Sequence, residues 1–207
     1  MEVGCIECIR FDVEFEDISI NICYLILNMK ITLIILQSID GYLARDNNDD
    51  LSWGSKQDKE FFRTKTKEIG TMIMGSGTFE KMPDFAFKDR FSLVMTSSTD
   101  KYNERIELLR KQGNDIELNS STPELCIDYL NTKGIEEAAL IGGGKLDGAF
   151  LKSGLIDEMY ISIAPVVFGN GIKAFDTRDS EALLQEYYLA DVDRFGEREV
   201  LLHYKRR

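Results

Sequence analysis

The sequence predicts an α/β fold with a mixed, mostly parallel central sheet, helices on both faces and a C-terminal antiparallel hairpin. Three observations lead there. From Met29 onward, apolar strand-like runs alternate with helical runs, the pattern that lays crossover helices over a parallel sheet. The run from Ile31 to Ser38 is apolar almost throughout, as a strand covered on both faces is. The last two strand-like segments, "YYLADVDRF" and "REVLLHYKRR", follow one another with no helix between them, so they are expected to pair antiparallel.

The elements follow in order. "KITLIILQS" is the first strand. Lys56 to Glu68 reads as a helix, with Ser55 as N-cap and Asp58 in the first turn, where the helix dipole favours negative charge. "GTMIMG" (70–75) and "FSLVMTSS" (91–98) are short buried strands. Asn103 to Gln112 is a helix that stops at Gly113, and "DIEL" (115–118) is a strand. "STPELCIDYLNTKG" (121–134) is a helix capped by Thr122, opened by Pro123 and ended by Gly134. Its Cys126, Tyr129 and Leu130 share one face. "EEAALIGG" is a strand, and Leu146, Ala149 and Phe150 mark the inner face of the next helix, which Gly154 ends. "IDEMYISIAP" (156–165) is a strand, followed by a turn through Gly169 and Gly171.

A chain of 207 residues suits one domain and buries a full core without staples. Its formal net charge of -11 repels nucleic-acid phosphates and anionic membranes, so neither is an expected partner. An anionic ligand would need a local site of aimed amides or a few cations. Cys5, Cys8 and Cys23 lie in the first 28 residues and only Cys126 beyond. The body therefore has no disulfide framework, which fits a cytoplasmic setting. Cys5 and Cys8 have C-x-x-C spacing, but no second pair and no nearby histidine completes four ligands, so no metal is expected. His203 is the one histidine, and its alternating strand suggests a half-exposed position rather than a nucleophilic triad.

The stretch 18–36, "ISINICYLILNMKITLIIL", is interrupted by Ser19, Asn21, Asn28 and Lys30. It is also rich in β-branched residues, which favours strands over a membrane span. Glu2, Glu7 and Asp12 are wrong for a signal peptide. Residues 1–28 are read as an N-terminal extension, either a translated leader or an added edge strand or dimer contact. Residues 29–207 are read as the domain.

In such folds ligands sit at the carboxyl ends of the strands. Two glycine turns lie there: Gly75-Ser76-Gly77-Thr78 and Gly142-Gly143-Gly144. Each follows an apolar strand and precedes a helix, whose first amides favour an anion. Glycine lets that anion approach without a Cβ in the way. Thr78 adds a hydroxyl, and Thr96-Ser97-Ser98 adds more at the end of a third strand. Two such turns and a hydroxyl cluster at one sheet edge suggest a dinucleotide. Neither G-x-G-x-x-G nor G-x-x-x-x-G-K-[ST] is present.

From Met29 onward the chain resembles the dihydrofolate reductase fold, in particular the reductase domain of bacterial riboflavin biosynthesis (the RibD C-terminal domain) and its relatives. The matching segments are "SIDGYLA" (38–44), "SWGSKQDKEFF" (52–62), "MGSGTFE" (74–80), "TSS" (96–98), "IGGGKL" (141–146) and "LIDEMYISIAPVVFGNGIKAF" (155–175), in the family's order. The resemblance implies hydride transfer from NADPH to a small heterocycle, pterin-like or ribosylaminopyrimidine-like, and a homodimer. It implies that Gly142, Gly143, Gly144, Lys145 and Leu146 hold the pyrophosphate and that Gly75, Ser76, Gly77 and Thr78 hold the adenosine-side phosphates. Thr96, Ser97 and Ser98 would line the adenosine end, and Ala44 would meet the nicotinamide through its backbone. Asp40, Trp53, Asp58, Phe62 and Glu158 would border the substrate, with Asp58 and Glu158 as the catalytic candidates. Asp58 is either the active-site carboxylate, keeping its spacing from Trp53 and Phe62, or a support for the helix start.

The chain also departs from its relatives. Ser76 stands where dihydrofolate reductases often carry an arginine for the 2′-phosphate, so NADH stays open beside NADPH, with Arg45, Lys101 or Arg105 as substitutes. "KMPDFAF" replaces an arginine-aspartate-aspartate-proline segment of the riboflavin enzymes. The companion zinc deaminase motif is absent. A non-catalytic nucleotide-binding protein on the same fold is the alternative, followed by an interaction module.

Overall fold

The computed structural model describes residues 29–177 and 185–207. The readings of residues 1–28, including the Cys5/Cys8 pair, lie outside the described residues. Strand β1 (Lys30–Ser38) is followed by a short β2 (Tyr42–Ala44). Helix α1 (Lys56–Ile69) starts where Ser55 accepts a hydrogen bond from the Asp58 amide and ends at Gly70, whose φ of 80° is left-handed. Then come β3 (Thr71–Gly75), α2 (Ser76–Lys81), β4 (Phe91–Met95), α3 (Asn103–Lys111) and β5 (Asp115–Asn119). Helix α4 (Pro123–Thr132) carries the expected Thr122 cap. The chain continues through β6 (Glu137–Leu140), α5 (Gly144–Lys152), β7 (Glu158–Ala164), β8 (Ile172–Lys173), β9 (Tyr187–Phe195) and β10 (Glu199–Arg206).

The main sheet has eight strands in the order β5-β4-β3-β6-β1-β7-β10-β9. From β5 to β7 every pairing is parallel. β10 runs antiparallel to both β7 and β9, as the terminal hairpin predicts. The β2–β8 pair forms a second, two-stranded sheet that the sequence reading does not contain.

Two apolar clusters cover the two faces. Ile31, Leu33 and Ile35 point to one, where Cys126, Leu130 and Phe150 of α4 and α5 close over them. Ile34, Met72 and Met74 point to the other, under Phe79, Ile106 and Leu109 of α2 and α3, with Phe61 and Phe62 of α1 alongside. The alternation along β1 thus feeds both layers, which is why it reads as continuously apolar. Burial pushes the Cys126 thiol up to about 12, so it packs as a small apolar group. His203 is half-buried on β10, as its alternating strand suggests, with its ring stacked on Tyr160 at 4.1 Å.

Candidate functional site

The parallel strands β4, β3, β6 and β1 end along one edge of the sheet, and the loops leaving them frame one cleft of about 1870 Å³. At the β3 and β6 ends the chain turns directly into α2 and α5, whose N-caps are Gly75 and Gly143. Neither start is capped by a side chain, so their first amides are left for another acceptor. The two turns are tied together, since the Gly75 amide donates to the Gly142 carbonyl at 2.8 Å.

The glycines differ in what they do. Gly142 has a φ of 95°, a left-handed conformation that costs glycine little. A Cβ on Gly144 would overlap the Lys173 carbonyl oxygen, so this residue lets α5 pack against the segment after β8. At Gly77 a Cβ would meet nothing within 4 Å, and at Gly143 only Thr78 Oγ1 at 3.7 Å. Both line the cleft, so a side chain at either would occupy space a ligand can use. Uncapped amides beside open glycine surfaces suit the phosphates of a dinucleotide.

Most sequence-predicted residues come together. Ala44, Asp58, Phe62, Gly75, Ser76, Gly77, Thr78, Thr96, Ser97, Ser98, Gly143, Gly144, Lys145 and Leu146 all line the cleft. Gly142 sits behind it, holding Gly75. Three others are not brought in. Asp40 accepts from the amides of Phe168 at 3.2 Å and Gly169 at 2.7 Å, so it closes a turn. Trp53 packs edge-on against Phe168 at 5.2 Å, and its Nε1 donates to Asp49 at 3.2 Å. Glu158 lies at the start of β7, opposite Thr32 near the start of β1, while the cleft lies at the strands' other end. Burial works to raise the Glu158 pKa, but Lys30, His203 and Lys205 around it hold the carboxyl below its ordinary value. The catalytic assignment of Glu158 is therefore corrected to an ion-pair centre.

Asp58 has a different environment. It is 8% exposed and lies within the influence of the Ser162 hydroxyl on β7. Burial is the main influence and raises its pKa. The Ser162 hydroxyl and Lys59 oppose this, while the Glu199 charge adds to it. A carboxyl that holds its proton more tightly than usual at the wall of a cleft suits proton donation to a bound molecule.

Three residues escaped the sequence reading. Asp49 holds the 45–54 loop by accepting from the Arg45 and Leu51 amides at 2.8 and 3.0 Å. Glu199 accepts from the Ser55 amide at 2.8 Å. Asp147 is fully buried in the first turn of α5, neither of its oxygens has a hydrogen-bond partner among the described residues, and burial raises its pKa.

The RibD C-terminal domain model matches residues 29–201. The chain belongs to the RibD C-terminal domain family. Its relatives include the uncharacterized Bacillus subtilis protein YwjB, 29% identical over 191 residues, spanning 87% of this chain and 99% of that one. A pyrimidine reductase-like protein from Corynebacterium diphtheriae superposes with a TM-score of 0.68 at 13% identity, over 86% of this chain and 92% of its own. Dihydrofolate reductase from Enterococcus faecalis, complexed with NADP(H), superposes with a TM-score of 0.61 at 18% identity, over 87% and 98% of the two chains. These likenesses show the dihydrofolate reductase-like fold. Within this RibD C-terminal fold, no helix of the described residues is long and apolar enough to cross a membrane.

Proposed function

We propose that this RibD C-terminal family member is an NAD(P)H-dependent reductase that transfers a hydride to a small heterocycle. One observation carries the reading: a buried carboxyl of raised pKa, Asp58, shares a cleft with two uncapped glycine helix starts. A nicotinamide dinucleotide bound there would supply the hydride. Gly143, Gly144 and Lys145 would hold its pyrophosphate, Ser76, Gly77 and Thr78 the adenosine-side phosphates, and Thr96 to Ser98 the adenosine end. Ala44 and Phe62 would border the reacting rings, and Asp58 would give the proton that complements the hydride.

Of the two substrate types, the lining favours the phosphate-bearing ribosylaminopyrimidine over a plain pterin. Lys56, Lys59 and Arg63 line the cleft from α1, and Lys88 lines it as well, a local reversal of the chain's negative balance. The proposal includes a homodimer, which the exposed Tyr188, Leu189 and Val192 of the edge strand β9 support.

The test is a titration with NADPH and NADH, followed by energy transfer from protein fluorescence to the nicotinamide. Micromolar binding is expected, followed by cofactor oxidation with the ribosylaminopyrimidine phosphate ahead of dihydrofolate. Binding without turnover on any pyrimidine or pterin would favour a nucleotide-binding protein. No binding would remove the phosphate role of the glycines.

A further inference from the structure

Glu199 opens β10 and is 5% exposed. Both its oxygens face the start of α1: Oε1 accepts from the Ser55 amide at 2.8 Å, and Oε2 accepts from the Ser55 hydroxyl. The same Ser55 oxygen accepts from the Asp58 amide at 3.0 Å. One hydroxyl therefore ties β10 to the helical turn that carries Asp58. On the other side, β10 is zipped to β7, with Leu201 opposite Ser162, whose hydroxyl acts on the Asp58 carboxyl. Asp58 is held at its backbone through β10, while its carboxyl faces the influence of β7.

The second observation is charge. Ser55 alone caps the helix, so a neutral residue at 199 would satisfy the fold. Instead a buried carboxylate stands there, with no lysine or arginine bridged to it among the described residues. A negative charge at Glu199 makes the buried Asp58 carboxyl harder to ionise.

We propose that Glu199 is a positioning residue that sets both the place and the proton of Asp58. The charged groups acting on Asp58 are Glu199 from β10 and Lys59 from its own helix, while β7 offers the neutral Ser162. When Asp58 gives its proton to substrate it becomes a carboxylate beside Glu199, and their repulsion favours the return of a proton from water. The inference rests on the reading of Asp58 as the proton donor.

The test uses the full chain with carbon-labelled aspartate, the Asp58 carboxyl resonance being assigned by its loss in Asp58→Asn. In Glu199→Gln the Asp58 titration is expected to move about one pH unit lower, and with it the pH at which turnover falls as the solution is made more alkaline. An unmoved titration in a folded variant overturns the electrostatic half. Ser55→Ala keeps both carboxyls and the backbone amide bond to Glu199 but removes the hydroxyl that links Glu199 to the Asp58 amide, and is expected to lower turnover while the Asp58 titration stays in place. Unchanged turnover there overturns the positioning half, and it also decides the matter if Glu199→Gln does not fold. If Asp58→Asn itself turns over normally, the reading of Asp58 as proton donor falls, and the proposal with it. The titration still shows whether the two carboxyls interact.

Discussion

Lys101 Nζ lies 2.5 Å from Glu80 Oε1, and the Tyr102 hydroxyl donates to that same oxygen at 2.7 Å. Lys101 lines the cleft beside Ser97 and Ser98. The other cations expected to replace an arginine at Ser76 are also engaged. Arg105 donates to the Phe79 and Met82 carbonyls at 2.7 Å each, and Arg45 grips Asp49. The proposed adenosine end is thus poorly equipped to reward a 2′-phosphate. NADPH and NADH are expected to bind within about tenfold of each other, a difference of about 1.4 kcal/mol. Glu80→Gln should free Lys101 and tighten NADPH alone by about two- to fivefold, the range of an exposed ion pair. Fluorescence titration at low and high salt measures this, and the gain should shrink with salt.

Asp58→Asn should lower turnover by about a hundredfold or more, the usual contribution of a placed acid, while leaving nucleotide affinity unchanged. Steady-state rates and binding titrations on the same preparation separate the two effects.

Gly143→Ala should weaken nucleotide binding by at least about tenfold, since the added methyl enters the cleft with only Thr78 Oγ1 nearby at 3.7 Å. Calorimetric titration, with circular dichroism as a check on folding, reads this directly.

Asp147 should shape how stability varies with pH. Its pKa lies well above the ordinary value of 3.8 because it is buried, so the folded state holds the proton more tightly than the unfolded state. Its contribution is complete below 3.8 and is lost as pH rises through the folded pKa, at a slope of up to about 1.4 kcal/mol per pH unit. Asp147→Asn should flatten that decline. Urea unfolding at about pH 5 and about pH 8 compares the slopes.

What was legible in the sequence had a local physical cause. Ser55 and Thr122 cap helices through hydroxyls that act within three residues, so α1 and α4 announce their own starts. The β2–β8 pair, three and two residues long, is too short to show a period. Glu158 shows why a strand pattern misleads. It shares a face with Ser162, which acts on Asp58, but four residues along a strand amount to about 13 Å. Periodicity gives the face and not the height. Asp147 and Glu199 are functional candidates only because of what folding buries around them. Asp147 lies in an ordinary first helical turn, and Gly144 and Gly148 let the 173–176 backbone close over that helix, with the Asp176 amide donating to the Gly144 carbonyl at 2.9 Å.

The hydrogen bond between Gly75 and Gly142 joins two turns from distant parts of the chain, across neighbouring strands that meet only after two intervening strands and their helices have been laid down. The cleft is therefore a product of long-range contacts. No fragment that stops before β6 contains both turns, so it would lack one of the two proposed anion cradles. A nucleotide that binds there bridges both turns and so recognises only the assembled sheet, and mass action then makes it a stabiliser of the whole domain. In a cell, the supply of such a ligand would govern how long the protein lasts as well as what it does.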